Sequence, residues 1–111
     1  MSIFGDDRVA ELIELIGKDA TIALVDNFGG MRLYLSAQMR PNNKVVRAIG
    51  LEAAQALAGR FSPDVIRVPV ARELRALHYR SQVMSYGKIA HRLGIVEPSV
   101  DRMFQRIKRR N

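Results

Sequence analysis

The sequence predicts a mainly α protein with short β-strands, an α+β chain in which a duplicated helix-helix-strand region (repeats about 9–36 and 42–69) precedes a C-terminal helix-turn-helix (70–111). Three observations predict it. A repeat runs at constant offset through the first two thirds; Gly94 and Pro98 interrupt an otherwise amphipathic stretch; and the net charge of +7 is confined to the last third.

The repeat is seen by laying residues 12–35 over 45–68. Ile16 then falls on Ile49, Gly17 on Gly50, Ala20 on Ala53, Ala23 on Ala56, Leu24 on Leu57 and Phe28 on Phe61. Leu12/Val45, Ile13/Val46, Asp19/Glu52, Leu33/Ile66 and Leu35/Val68 are similar pairs, so the apolar pattern recurs along with the identities. In the first copy Val9, Leu12, Ile13 and Ile16 are spaced for one face of a helix that Gly17 ends. Ala20, Ala23, Leu24 and Phe28 resume the period until Gly29-Gly30 stops it. The alternation in "MRLYL" (31–35) and "DVIRV" (64–68) predicts one short strand per copy, the second closed by Pro69, and "PNNK" (41–44) reads as a linker. One copy has little to bury its apolar face against, and two short strands make a marginal sheet. Region 1–69 is therefore expected to be a dimerisation region, with the copies packed on each other and two chains intertwined as a two-fold homodimer.

In the last third, one unbroken helix through "IAHRLGIVEPSVDRMFQRI" (89–107) is a poor reading, since an interior proline costs roughly 3 kcal/mol and an interior glycine about 1 kcal/mol relative to alanine. Ala90, Gly94 and Val100 fit two helices and a tight corner: a small residue for close approach, a glycine for a left-handed turn, and a branched residue plugging between the helices. Ile89, Leu93, Ile95 and Met103 take the remaining core positions. Ser85 is placed to cap the helix "YGKIAHRL", and Pro98 starts the second helix, where its missing N–H is harmless. Upstream, "VARELRALHYR" (70–80) puts Val70, Leu74 and Leu77 on one face of a supporting helix. On the second helix Val100, Met103, Phe104 and Ile107 form the inward stripe, and Pro98, Arg102, Gln105 and Arg109 the opposite face, flanked by Ser99, Asp101 and Arg106.

Charge gives that outer face a chemistry. Residues 1–70 hold eight Lys/Arg and eight Asp/Glu, whereas residues 71–111 hold ten Lys/Arg against three Asp/Glu. A basic module beside a neutral one is the footprint of polyanion binding. Arg and Gln read guanine and adenine edges by bidentate hydrogen bonds, so Pro98, Ser99, Asp101, Arg102, Gln105 and Arg106 are the candidates for base reading in double-stranded DNA. Asp101 suits a cytosine amine, a neighbouring Arg, or simply the helix dipole. Arg80, Ser85, Lys88, Arg92, Lys108, Arg109 and Arg110 are the candidates for phosphate contact, which positions without reading.

The bulk composition excludes other classes. Hydrophobic residues make up 48% of the chain, too many for a disordered protein, while the longest uncharged apolar runs are far short of a membrane span. "SIFGDDR" lacks the basic start and apolar segment of a secretory signal, and there are no cysteines for disulfides or thiolate metal sites. A cytoplasmic, nucleoid-associated protein without membrane partner, metal or cofactor is expected. No enzyme is expected either: His78 and His91 fall on separate helices without an orienting carboxylate or serine, and Asp6-Asp7 makes no acid/base pair. Few aromatics are available for stacking on single-stranded bases, which disfavours RNA. A repressor of the same architecture, or a module that uses its helices for protein contact, remains as the alternative.

With both halves described, "NFGGMRLYL" (27–35) and "SYGKIAHRLGIVEPSVDRMFQRI" (85–107) resemble the Mor (middle operon regulator) family of transcription activators from Mu-like phages and prophages. The resemblance implies a dimerisation region of helices and short strands, a helix-turn-helix from each subunit in the major groove of a dyad promoter site, and recruitment of bacterial RNA polymerase. It also implies DNA contact from the double-glycine strand, hence Arg32 and Tyr34, or Arg67 in the strand leading to the helix-turn-helix. The chain departs from the family in one respect. The intact glycine pair lies in the first copy, and the second has Ser62-Pro63 there, with Val65 and Arg67 in place of Arg32 and Tyr34.

Overall fold

The computed structural model of the chain describes residues 7–110. Asp6 and the side chain of Asp7 lie outside the described residues, and with them the Asp6-Asp7 pair. Two compact units divide the chain between Ala71 and Arg72. The described residues are mainly helical, with one small antiparallel sheet.

In the N-terminal unit α1 (Asp7–Ile16), α2 (Lys18–Phe28) and β1 (Arg32–Leu35) are followed by α3 (Lys44–Ile49), α4 (Leu51–Phe61) and β2 (Asp64–Arg67). Each helix pair is broken by one glycine: Gly17 has φ 87° and ψ 164°, Gly50 φ 89° and ψ 159°. The chain turns there without losing hydrogen bonds. Gly17 donates to the Ile13 carbonyl and accepts from the Thr21 N–H, and Gly50 does the same with Val46 and Ala54. Nothing stands within 4 Å of a Cβ built at either position, so the backbone angle, and not lack of space, calls for glycine.

The helices pack crosswise: α1 on α2 and α4, and α2 on α3 as well. Glu11 of α1 accepts from Arg60 of α4 at 3.4 Å, and the Arg8 guanidinium lies 4.9 Å from the centre of the Phe61 ring. Val9, Leu12, Leu24, Val25, Ala54 and Leu57 are fully buried. The strands pair Arg32 with Arg67, Leu33 with Ile66, Tyr34 with Val65 and Leu35 with Asp64. Their alternation buries Leu33, Leu35 and Ile66 and leaves Arg32, Tyr34, Val65 and Arg67 outside. Asn43 caps α3 by accepting from the Val45 N–H at 2.7 Å, so the second half of "PNNK" opens a helix.

Burial departs from the periodic expectation in two places. In α2 the buried positions include Thr21, Ile22 and Val25, while Ala20 and Ala23 are only half-buried. The Thr21 hydroxyl is satisfied by donating to the Gly17 carbonyl at 2.7 Å. Met39, between β1 and α3, is also buried.

The C-terminal unit consists of α5 (Arg72–Ser81), α6 (Tyr86–Leu93) and α7 (Glu97–Arg110). Its core gathers Ala76, Tyr79, Ile89, Ala90, Leu93, Val100 and Met103, with Met84, Tyr86, Ile95, Phe104 and Ile107 packed against it. The supporting helix starts two residues later than expected, and its inward face is turned. Leu74, Ala76 and Tyr79 are buried, whereas Leu77 is exposed. Tyr79 joins the buried cluster, and Leu77 does not. No helix among the described residues is long and apolar enough to cross a membrane.

Candidate nucleic-acid interface

Two helix ends build the corner. The Ser85 hydroxyl accepts from the Lys88 N–H at 3.2 Å, closing the first turn of α6. At its other end Gly94 takes the left-handed conformation, φ 71° and ψ 32°. The Ile95 N–H donates to the Ala90 carbonyl at 3.0 Å and the Gly94 N–H to the His91 carbonyl at 3.3 Å, the bonding pattern of a Schellman cap. This returns Ile95 onto the core beside Ala90 and launches α7 three residues later. Pro98 lies in the first turn of α7, as its missing donor allows.

α7 then separates two faces. Val100 and Met103 are buried and Phe104 and Ile107 pack on the same cluster, with the Phe104 ring stacked on Tyr86 at 5.1 Å. Pro98, Asp101, Arg102, Gln105, Arg106, Lys108 and Arg109 are all exposed, and Ser99 is half-buried. The reading candidates are held by one another. Arg102 donates to the Ser99 hydroxyl at 3.1 Å, and Gln105 donates to the Asp101 carboxylate at 3.1 Å. Asp101 thus holds Gln105, one turn on, and not a neighbouring arginine. Glu97 and Asp101 border a shallow hollow with Tyr86 and Pro98, an anionic spot suited to a base amine and not to phosphate.

The phosphate candidates divide. Lys88 and Arg92 are exposed on α6 and line a second hollow with Met84, Gly87 and His91. His91 belongs to this cationic edge, and its spacing of three from Lys88 is the signal that could have placed it there. Arg80 instead closes the α5–α6 turn: it donates to the Met84 carbonyl at 2.8 Å and lies 5.2 Å from the Tyr86 ring centre. Arg110 is drawn back to α5, where both its terminal nitrogens bond the Glu73 carboxylate. That hydrogen bonding raises the Arg110 pKa against desolvation, which lowers it, with the carboxylate charge adding to the rise. Arg75, outside the candidate set, donates to the Arg92 carbonyl at 3.2 Å and to the Tyr79 hydroxyl at 3.4 Å, tying α5 to the end of α6.

The strand candidates sit together on the N-terminal unit. Arg32 and Arg67 are direct cross-strand partners and Tyr34 faces Val65, all on the exposed side of the ribbon.

Compared with known proteins, the chain matches no family model, no curated protein and no solved structure. What the site can do follows from its residues: a helix anchored along one side offers Arg and Gln ends, pre-oriented by neighbours, above a separate edge of Lys88 and Arg92.

Proposed function

We propose that the chain is a sequence-specific double-stranded DNA-binding transcription regulator whose C-terminal unit is a helix-turn-helix, with α7 as the helix that enters the major groove. The observation that carries this reading is that Arg102 and Gln105 lie on the solvent side of a helix whose other side is buried, each hydrogen-bonded to a residue of its own helix. Side chains so ordered lose little entropy on meeting a base edge. Segregated charge supports it: all of the +7 excess lies in residues 71–111. The duplicated organisation of residues 9–69 and the role of activator, recruiting RNA polymerase to a phage or prophage promoter, belong to the same proposal. The second of these rests on the resemblance to the Mor family alone.

Selection of duplexes from a randomised library, followed by binding measurements on the enriched site and on random duplex, tests the reading. Arg102→Ala or Gln105→Ala should each cost about 1–3 kcal/mol on the enriched site and relax the preference at one position. Equal losses on both duplexes would remove these residues from the reading set.

A further inference from the structure

The strand pairing of the N-terminal unit carries a symmetry that the repeat alone does not state. In the repeat each residue of the first copy corresponds to the one 33 positions later, whereas in the antiparallel ladder one strand ascends as the other descends. The two relations coincide only at Leu33 and Ile66, which are repeat equivalents and direct partners at once. About that pair the Arg32–Arg67 and Tyr34–Val65 pairs exchange, since Arg32 corresponds to Val65 and Tyr34 to Arg67. Helix packing obeys the same exchange, with α1 on α4 and α2 on α3. Gly17 and Gly50, equivalent in the repeat, share one backbone conformation. These are the relations of a two-fold dimer, realised inside one chain.

The core faces that one copy alone would leave open are covered within the chain. Val9, Leu12, Leu24, Leu33, Leu35 and Leu57 have no solvent exposure. An obligate dimer interface buries about 2,000 Å² or more of largely apolar surface. The large apolar side chains exposed on this unit, among the described residues, are Met31, Tyr34 and Val65 on the ribbon and Leu51 beside the Gly50 break. The first strand, moreover, leads into the second copy and not into another bihelical corner, so the two-fold body carries a single one.

We infer that the N-terminal unit is a complete two-fold body made by one chain, and that the chain engages duplex DNA as a monomer on a single asymmetric half-site. The half-site rests on the DNA-binding reading above; the one-chain body does not. It replaces the two-chain dimer on a dyad that the sequence predicts.

Light scattering of the full chain at micromolar concentration should give 12.5 kDa, and twice that mass would overturn the inference. A second measurement distinguishes strands paired within a chain from strands exchanged between chains. The double variant Tyr34→Cys, Val65→Cys places the only two cysteines of the chain on exposed partner positions, about 4.5–5.5 Å apart at Cα and within disulfide reach. Oxidised, it should run as a monomer on a non-reducing gel; a linked dimer would overturn the one-chain body. The randomised duplex library should then return a site without internal symmetry, saturated by one chain. Recovery of a dyad holding two chains leaves DNA binding standing and overturns the half-site. A library with no enriched sequence overturns DNA binding and the half-site together, while the mass and the cross-link still decide the one-chain body.

Discussion

At the scale of single residues, the two turns of the C-terminal unit solve one problem with different chemistry. The α6 helix ends on Gly94 at φ 71°, and α5 ends on Val83 at φ 63° with the same bonding, Met84 N–H to the Tyr79 carbonyl and Val83 N–H to the Arg80 carbonyl. A side chain with a Cβ pays about 1–2 kcal/mol for that conformation, and valine is among the least suited to it. Nothing compensates at Val83, whose surface is 86% exposed. Val83→Gly should therefore stabilise the chain by about 1 kcal/mol, after glycine's extra unfolded-state entropy of about 0.5–1 kcal/mol is subtracted. The check is a higher denaturant midpoint at unchanged slope. A lower midpoint would mean that Val83 holds contacts which its exposure denies.

At the scale of elements, the breaks were legible and the faces less so. Gly17, Gly50 and Gly94 mark helix ends in the sequence because glycine is the cheap residue for the angles they adopt, and Ser85 and Pro98 mark starts for equally local reasons. Leu77 and Tyr79 show where periodicity stops short. Over ten residues of α5, a helical period fixes a face only to within a position, and the structure buries Tyr79 where the period put Leu77. Thr21 and Met39 were missed for another reason. One is a polar residue that satisfies itself on its own helix, and the other is an apolar residue in a segment without period. In the site, the exposed face of α7 was legible from 100° spacing, but the commitment of Arg110 to Glu73 joins residues 37 apart and leaves no local trace. The cap at Gly94 gives a graded test. Because nothing lies within 4 Å of a Cβ built there, the loss on substitution is conformational only. Gly94→Asn should cost least and Gly94→Val most, with Gly94→Ala between at about 1 kcal/mol, read from thermal or denaturant unfolding. Equal losses would point to steric exclusion in place of backbone angle.

At the scale of the whole molecule, the segregation of charge sets how binding depends on salt. Among the phosphate candidates, Lys88, Arg92, Lys108 and Arg109 are exposed cations without such ties, whereas Ser85 caps α6, Arg80 closes a turn and Arg110 is paired with Glu73. If those four each neutralise one phosphate, the logarithm of affinity falls against the logarithm of salt concentration with a slope of about −3.6, since each contact contributes about −0.9. Lys88→Ala should flatten the slope by about 0.9 and weaken all duplexes alike, because a phosphate contact carries no sequence information. Glu73→Gln tests the same count from the other side. Removing the carboxylate frees the Arg110 guanidinium at the end of α7, so the slope should steepen by about 0.9 while the preferred sequence stays the same. The ion pair is about half-exposed at its arginine, so stability should change by about 1 kcal/mol. Fluorescence anisotropy on one duplex across a salt series separates these outcomes. A slope indifferent to both Lys88 and Glu73 would mean that the polyanion meets some other surface than the one formed by α6 and α7.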